Sequence, residues 1–193
     1  MSAHPTGTHS FDPQVRSQLK FSEDAMSTIH KIIGRYPEGK SKSALLPILH
    51  IAQAENEGWL SAEAMDLVAS ILGIQAIEVF EVASFYSMYN LQPIGKCHLE
   101  VCRTSSCWAR GAEDIVDYIS KKLNIKVGET TSDGMFTLKT VECLGSCGSA
   151  PMLQCGAEYH ENLTESKVDD LLERMRSEGK RHNYTDLDYK NSK

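Results

Sequence analysis

Apolar side chains recur every three or four positions through the first half of the chain, and every second position in parts of the second half. Ala25, Ile29, Ile32 and Ile33 follow Ser22 at helical spacing, with Pro37 and Gly39 marking the stop. Ser41 opens a second helical pattern that directs Leu45, Leu46, Leu49 and Ile51 inward, up to Gly58. Pro47 lacks a backbone donor and sits awkwardly within it. Ser61 caps a third helix with Met65, Val68, Ile71 and Leu72 inward, ended by Gly73. A fourth runs from about Gln75 to Tyr86, with Ile77, Phe80 and Phe85 among its apolar positions. Short amphipathic helices with tight connections predict a four-helix bundle.

The period changes after Pro93 and Gly95. Cys97 to Cys102 alternates as a strand, and Ile115, Val116, Ile119 and Leu123 share one face of a helix over Ala109 to Leu123. Asp133-Gly134 is a turn, and Met135 to Glu142 alternates again. Met152 to Cys155 and Glu158 to His160 read as short strands joined at Gly156-Ala157. Thr164 caps a last helix with Val168, Leu171, Leu172 and Met175 inward. Strand, helix, strand, hairpin and helix is the order of a thioredoxin-like sandwich. The expected class is α+β: a flexible arm over 1–18, a helical domain over 19–92, a thioredoxin-like α/β domain over 93–179 and a polar tail over 180–193.

Composition narrows the function. A chain of 193 residues with 41% hydrophobic and 24% charged content is globular. Its net charge of -6 disfavours nucleic acid and offers no polybasic membrane footprint. No apolar run approaches the ~20 residues of a membrane span, and the first twenty residues lack the apolar core of a signal peptide. A reducing, cytoplasmic setting follows, in which six cysteines read as ligands or buried thiols rather than disulfides.

Those cysteines carry the chemistry. Cys102 and Cys107 enclose Arg103-Thr104-Ser105-Ser106, and Cys143 and Cys147 enclose Leu144-Gly145-Ser146. Each pair follows a predicted strand, so both loops can leave one edge of a sheet. Hydroxyls at Thr104, Ser105 and Ser106, and amides exposed at Gly145 and Gly148, suit a negatively charged sulfur centre. On spacing alone, four-cysteine zinc and a [2Fe–2S] cluster stand level, with unliganded thiols behind. A thioredoxin-type dithiol is disfavoured, because neither pair has two intervening residues. Cys97 and Cys155 have no partner at ligand spacing and read as core. Trp108 reads as packing, with shielding of the site as the alternative. The aromatic run Phe85, Tyr86, Met88 and Tyr89 reads as core rather than as a partner-facing patch. A cis bond before Pro151 is consistent with the thioredoxin-like order. The seven histidines show no metal spacing.

Several segments, in order, resemble a family of small [2Fe–2S] subunits: the thioredoxin-like ferredoxin of the NADH-oxidising module of NADH-quinone oxidoreductase, respiratory complex I. They are Arg35-Tyr36-Pro37-Glu38-Gly39-Lys40, Glu81 to Tyr89, Gly128-Glu129-Thr130-Thr131 with Asp133-Gly134, Glu142 to Cys147, and Ala150-Pro151-Met152. The resemblance spans roughly Ser22 to Glu178. It implies a [2Fe–2S] cluster on Cys102, Cys107, Cys143 and Cys147. It also implies single-electron exchange with FMN on a partner flavoprotein subunit that binds NADH, and further iron–sulfur subunits of a peripheral arm on the cytoplasmic side of a bacterial inner membrane. No GxGxxG or phosphate loop is present, so NADH and FMN belong to the partner, and the chain alone is expected to be inactive as a dehydrogenase. Two departures stand out: Cys155-Gly156 replaces an aliphatic residue and Asn, and Arg103 replaces a small residue and adds positive charge beside a ligand. Similar subunits serve NAD-dependent formate dehydrogenases and hydrogenases, and a zinc-stabilised interaction module is the more distant alternative.

Overall fold

The structure is a computed structural model that describes residues 19–182. The expected arm over 1–18, and the tail beyond 182, lie outside the described residues.

Helix α1 (Glu23–Ile33) begins where the Ser22 hydroxyl accepts the Ala25 amide at 3.2 Å, with Glu23 and Asp24 in the positive first turn. A 3-10 turn at Ser41–Ala44 precedes α2 (Leu45–Glu55), so Ser41 starts that turn and does not cap α2. Pro47 falls in the first turn of α2, where its missing N–H would have had no partner within the helix. Helix α3 (Ala62–Leu72) is capped by Ser61 and closed by Gly73 at φ 66°. Helix α4 (Ala76–Phe85) starts with the Gln75 amide donating to the Glu78 carboxylate at 2.9 Å.

These helices share one core that includes Ile29, Ile48, Leu49, Leu60, Val68, Val79 and Tyr89. Leu46, expected inside, is exposed: the buried residues Leu45, Ile48, Leu49 and Ala52 define a face that Leu46 turns away from. Ile71 is half-buried against the same core. In α4 only Val79 and Ala83 are buried, so Ile77, Phe80 and Phe85 point outward. Phe85 is 80% exposed, and Tyr86 packs edge-on against it, also exposed. The reading of that aromatic run as core therefore holds for Tyr89 and, half-buried, Met88, and fails for Phe85 and Tyr86. A helix apolar on every side carries no periodic signal of which face turns inward.

The second half builds a four-stranded sheet in the order β2-β1-β3-β4, from β1 (Cys97–Cys102), β2 (Phe136–Val141), β3 (Leu153–Cys155) and β4 (Glu158–His160). β1 and β2 run parallel, with Cys97 opposite Phe136 and Cys102 opposite Val141. β3 is antiparallel to β1, and β4 to β3. Between β1 and β2 lie α5 (Ser105–Ala109) and α6 (Ala112–Leu123), where one continuous helix from Ala109 was expected. Gly111 at φ 88° cannot continue an α-helix, and it divides the two. Helix α7 (Glu165–Glu178) follows, capped by Thr164. Its inward residues pack with α6 on one sheet face, beneath Cys97, Leu99, Val101, Phe136, Leu138, Leu153 and Cys155. The α+β, thioredoxin-like order is therefore as expected, and Cys97 and Cys155 are core residues.

The opposite sheet face is polar yet largely covered. His98, Glu100, Thr137 and Gln154 are buried there. A small cavity brings His98 and Glu100 against His50, Gln53 and Asn90 of the helical half. Lys139 reaches Glu100 at 3.5 Å and donates to the Ser87 carbonyl at 2.8 Å, tying β2 to the end of α4. The start of the polar tail lies back on the sheet domain: the His182 amide donates to the Lys96 carbonyl and the Arg181 guanidinium to the Gly95 carbonyl. No described helix is long and apolar enough to cross a membrane.

Burial is the main force that pushes the His98 imidazole down to about 3, and the nearby Lys139 charge adds to it. The neutral form is thus the folded one. Its stabilising contribution is present above pH ~6.5 and is lost as pH falls through that value toward about 3. Urea midpoints measured against pH should fall across this window, and less steeply in His98→Gln. A Cβ at Gly95 would lie 2.9 Å from the Met135 carbonyl oxygen and the Phe136 carbonyl carbon, both backbone atoms. Gly95→Ala should cost about 1–3 kcal/mol in denaturant unfolding, as other forced insertions into packed regions do.

Candidate metal centre

Parallel pairing of β1 with β2 puts their C-terminal ends side by side, and both cysteine loops start there. Cys102 is the last residue of β1, and Cys143 comes two residues after Val141 ends β2. The two pairs differ in surroundings. Cys102 and Cys107 are 2% and 1% exposed and form a small apolar cluster with Ala112, Ala150 and Met152, against which Leu144 packs. Cys143 and Cys147 are exposed, with their sulfurs 3.9 Å apart.

Hydrogen bonds cross between the loops. Burial opposes ionisation of Cys102, but the Thr104 hydroxyl (3.4 Å from Sγ), the Thr104 and Leu144 amides and the Cys107 thiol together hold its thiol below the usual range. Cys107 is pushed up to about 11 by burial, by its hydrogen bond with Cys102 and by that thiol's charge. The Met152 amide opposes the shift, and Cys147 adds to it. Leu144 and Cys147 of the second loop thus act on the sulfurs of the first. The backbone reinforces this link: the Cys102 amide donates to the Met152 carbonyl at 3.2 Å, and the Arg103 amide to the Val141 carbonyl at 3.1 Å.

The thiols stand as two neighbouring pairs. Among the described residues, no three His, Cys, Asp or Glu side chains converge where a single metal ion could be held. The donor set, the clustered amides and the paired layout all fit a [2Fe–2S] group.

Other expected features fall differently. Gly145 has φ 82°, which a glycine tolerates and other residues rarely adopt. A Cβ at Gly145 or at Gly148 would meet no protein atom within 4 Å, so the loop leaves open space on that side. Trp108 is 63% exposed, so it is not a packing residue; it projects from α5 directly after Cys107. Arg103 turns toward Glu113, 3.5 Å away, and both are half-exposed. The Ala150–Pro151 bond is cis, as the thioredoxin-like order suggested.

The sequence reading missed the contacts that hold the second loop from behind. The Tyr159 hydroxyl donates to the Leu144 carbonyl at 2.7 Å. Glu161 accepts hydrogen bonds from the hydroxyls of Ser146 and Ser149. Tyr159 and Glu161 lie 12 to 15 residues from the loop residues they contact and carry no local motif, so no spacing signal points to them.

A family model described as thioredoxin-like [2Fe–2S] ferredoxin matches residues 29–176. A Rickettsia typhi protein, named as a subunit of NADH-quinone oxidoreductase, is 45% identical over 79% of this chain and 90% of its own length. The Rickettsia conorii protein of the same name is 41% identical over 84% of this chain and 97% of its own length. A Dictyostelium discoideum protein named NADH dehydrogenase [ubiquinone] flavoprotein 2, mitochondrial, is 40% identical over 86% of this chain and 67% of its own length. In fold, the chain is similar to an NAD+-reducing [NiFe]-hydrogenase chain in the air-oxidised state. The TM-score is 0.61 with 19% identity, over 69% of this chain and 23% of that one.

In the metal-free chain, iodoacetamide at neutral pH should modify Cys143 and Cys147 well before Cys102, which is buried. Cys107 should label appreciably only as pH approaches about 11. Peptide mass spectrometry against time and pH checks both expectations.

Proposed function

The chain belongs to the thioredoxin-like [2Fe–2S] ferredoxin family, and on that premise we propose that it is the electron-transfer subunit of the NADH dehydrogenase module of respiratory complex I. Its cofactor is a [2Fe–2S] cluster, which when bound accepts or donates one electron at a time. In this reading Cys102, Cys107, Cys143 and Cys147 would hold it. The observation that carries it is the parallel β1–β2 pair, which delivers two thiol pairs to one end of the sheet.

The chain's own residues supply the environment. Cys102 and Cys107 are buried in an apolar cluster with Ala112, Ala150 and Met152. The Thr104, Leu144 and Met152 amides donate to their sulfurs, which stabilises negative charge there. The Thr104 hydroxyl adds a further hydrogen bond to Cys102. Cys143 and Cys147 face outward, so the second pair is the side from which a redox partner approaches most closely.

The partner is the flavoprotein subunit that carries FMN and oxidises NADH. Further iron–sulfur subunits of the peripheral arm complete the assembly, on the cytoplasmic side of the membrane. The quinone oxidoreductase reading is preferred to a hydrogenase module because relatives of that name match at 41–45% over at least 90% of their own length. The likeness to the hydrogenase is one of fold. We place the boundary between the helical and cluster-bearing domains near residue 93, where one hydrophobic core ends and the next begins.

Wild-type chain purified anaerobically with iron and sulfide should hold two irons and two sulfides and show a reducible [2Fe–2S] spectrum. Serine at Cys102, Cys107, Cys143 or Cys147 should abolish or strongly alter that spectrum, while serine at Cys97 or Cys155 leaves it intact. A colourless zinc-loaded wild type would reject the assignment. Affinity capture of the native chain should bring down an FMN-containing subunit.

A further inference from the structure

The second cysteine loop, residues 143–151, has exposed ligands and a left-handed glycine, yet it is fixed from one side by a single short segment. Four residues of 159–163 reach it. The Tyr159 hydroxyl donates to the Leu144 carbonyl at 2.7 Å. The Asn162 amide donates to the Ser149 carbonyl at 2.7 Å, and the Leu163 amide to the Pro151 carbonyl at 2.9 Å. Between them, the Glu161 carboxylate accepts the Ser149 hydroxyl at 2.6 Å and the Ser146 hydroxyl, whose oxygens are themselves 2.7 Å apart. Ser146 immediately precedes Cys147, and Leu144 immediately follows Cys143.

We infer that Glu161 is a positioning residue for the cluster: through Ser146 and Ser149 it holds the loop that presents Cys143 and Cys147, and its charge tunes the reduction potential. This inference rests on the ligand assignment proposed above. Glu161 is exposed, and it has no place in a core. The Lys167 ammonium is 3.4 Å from the Glu161 backbone carbonyl, so the carboxylate keeps its two hydroxyl donors. Those hydroxyls hold the carboxyl below its ordinary range, which keeps it ionised at neutral pH. A fixed negative charge held on the residue next to Cys147 disfavours the added electron. Glu161 touches no thiol; it acts through the loop backbone that carries Cys147, as outer partners orient metal ligands.

The test compares four variants with wild type, loaded with iron and sulfide. Glu161→Ala removes both acceptor and charge, and should speed cluster loss to a chelator by about 10–100-fold, the usual cost of losing such a partner. Glu161→Gln keeps an acceptor and loses the charge. It should restore most of the retention while leaving the midpoint potential more positive than wild type. Glu158→Gln makes the same charge change on the same hairpin, where Glu158 faces Arg174 and His160 at 3.9 Å, and should move neither readout. Ser146→Ala with Ser149→Ala approaches the contact from the other side, and should reproduce the retention defect while thermal unfolding of the metal-free chain stays unchanged. Wild-type retention and potential in Glu161→Ala would overturn the inference, as would equal shifts in Glu158→Gln. A wild-type chain that assembles no cluster would instead reject the ligand assignment, and the inference with it.

Discussion

The parallel pairing of two strands is the constraint on which the rest of the site depends. Cys102 and Val141 stand in register at the ends of β1 and β2, so the loops that follow begin next to one another. An antiparallel pair would send those loops to opposite ends of the sheet and separate the thiols by a strand's length. Parallel strands cannot be joined by a tight turn, and here α5 and α6 make the return. α5 itself carries Cys107, so the crossover that permits the pairing also supplies one of the four thiols. Gly111 then redirects the chain into the longer helix that buries the lower face of the sheet.

The site is built from two unlike halves. The first pair is enclosed by apolar side chains and held by backbone donors contributed from the other loop. The second pair is open to solvent, and its loop is hydrogen-bonded by Tyr159 of β4 and by Glu161 just after it. Rigid ligands reduce reorganisation when charge changes, and an open flank lets a donor come close. A single cage cannot be fully enclosed and fully accessible, and the division of labour between the loops satisfies both needs.

Beyond the site, the sheet separates an apolar face from a polar one. Alternation along β1 sends Cys97, Leu99 and Val101 to the helices, and His98, Glu100 and Cys102 to the other side. Buried charge is costly unless paired, and the sheet meets this with a neutral His98 and with Lys139 beside Glu100. Lys139 also reaches the chain just after α4, so polar contacts rather than a shared apolar core tie β2 to the helical half. The exposed aromatic pair Phe85 and Tyr86 lies next to this connection, on a surface that no described residue covers.

Much of this was legible in the chain itself. Ser22, Ser61 and Thr164 act as the caps their positions suggest, because capping is a contact within three residues. The strands, the order of elements and the four candidate ligands were likewise read from period and spacing, since both depend on neighbours in sequence. What the tertiary structure decided lies across larger separations. The outward turn of Phe85, the burial of Cys102 against the exposure of Cys143, and the grip of Glu161 on Ser146 and Ser149 all depend on which surfaces meet after folding. The sequence determined that two cysteine pairs follow two strands. Only the packed sheet determined that the pairs are neighbours, because the direction in which strands associate is set by the cores and crossovers that folding assembles.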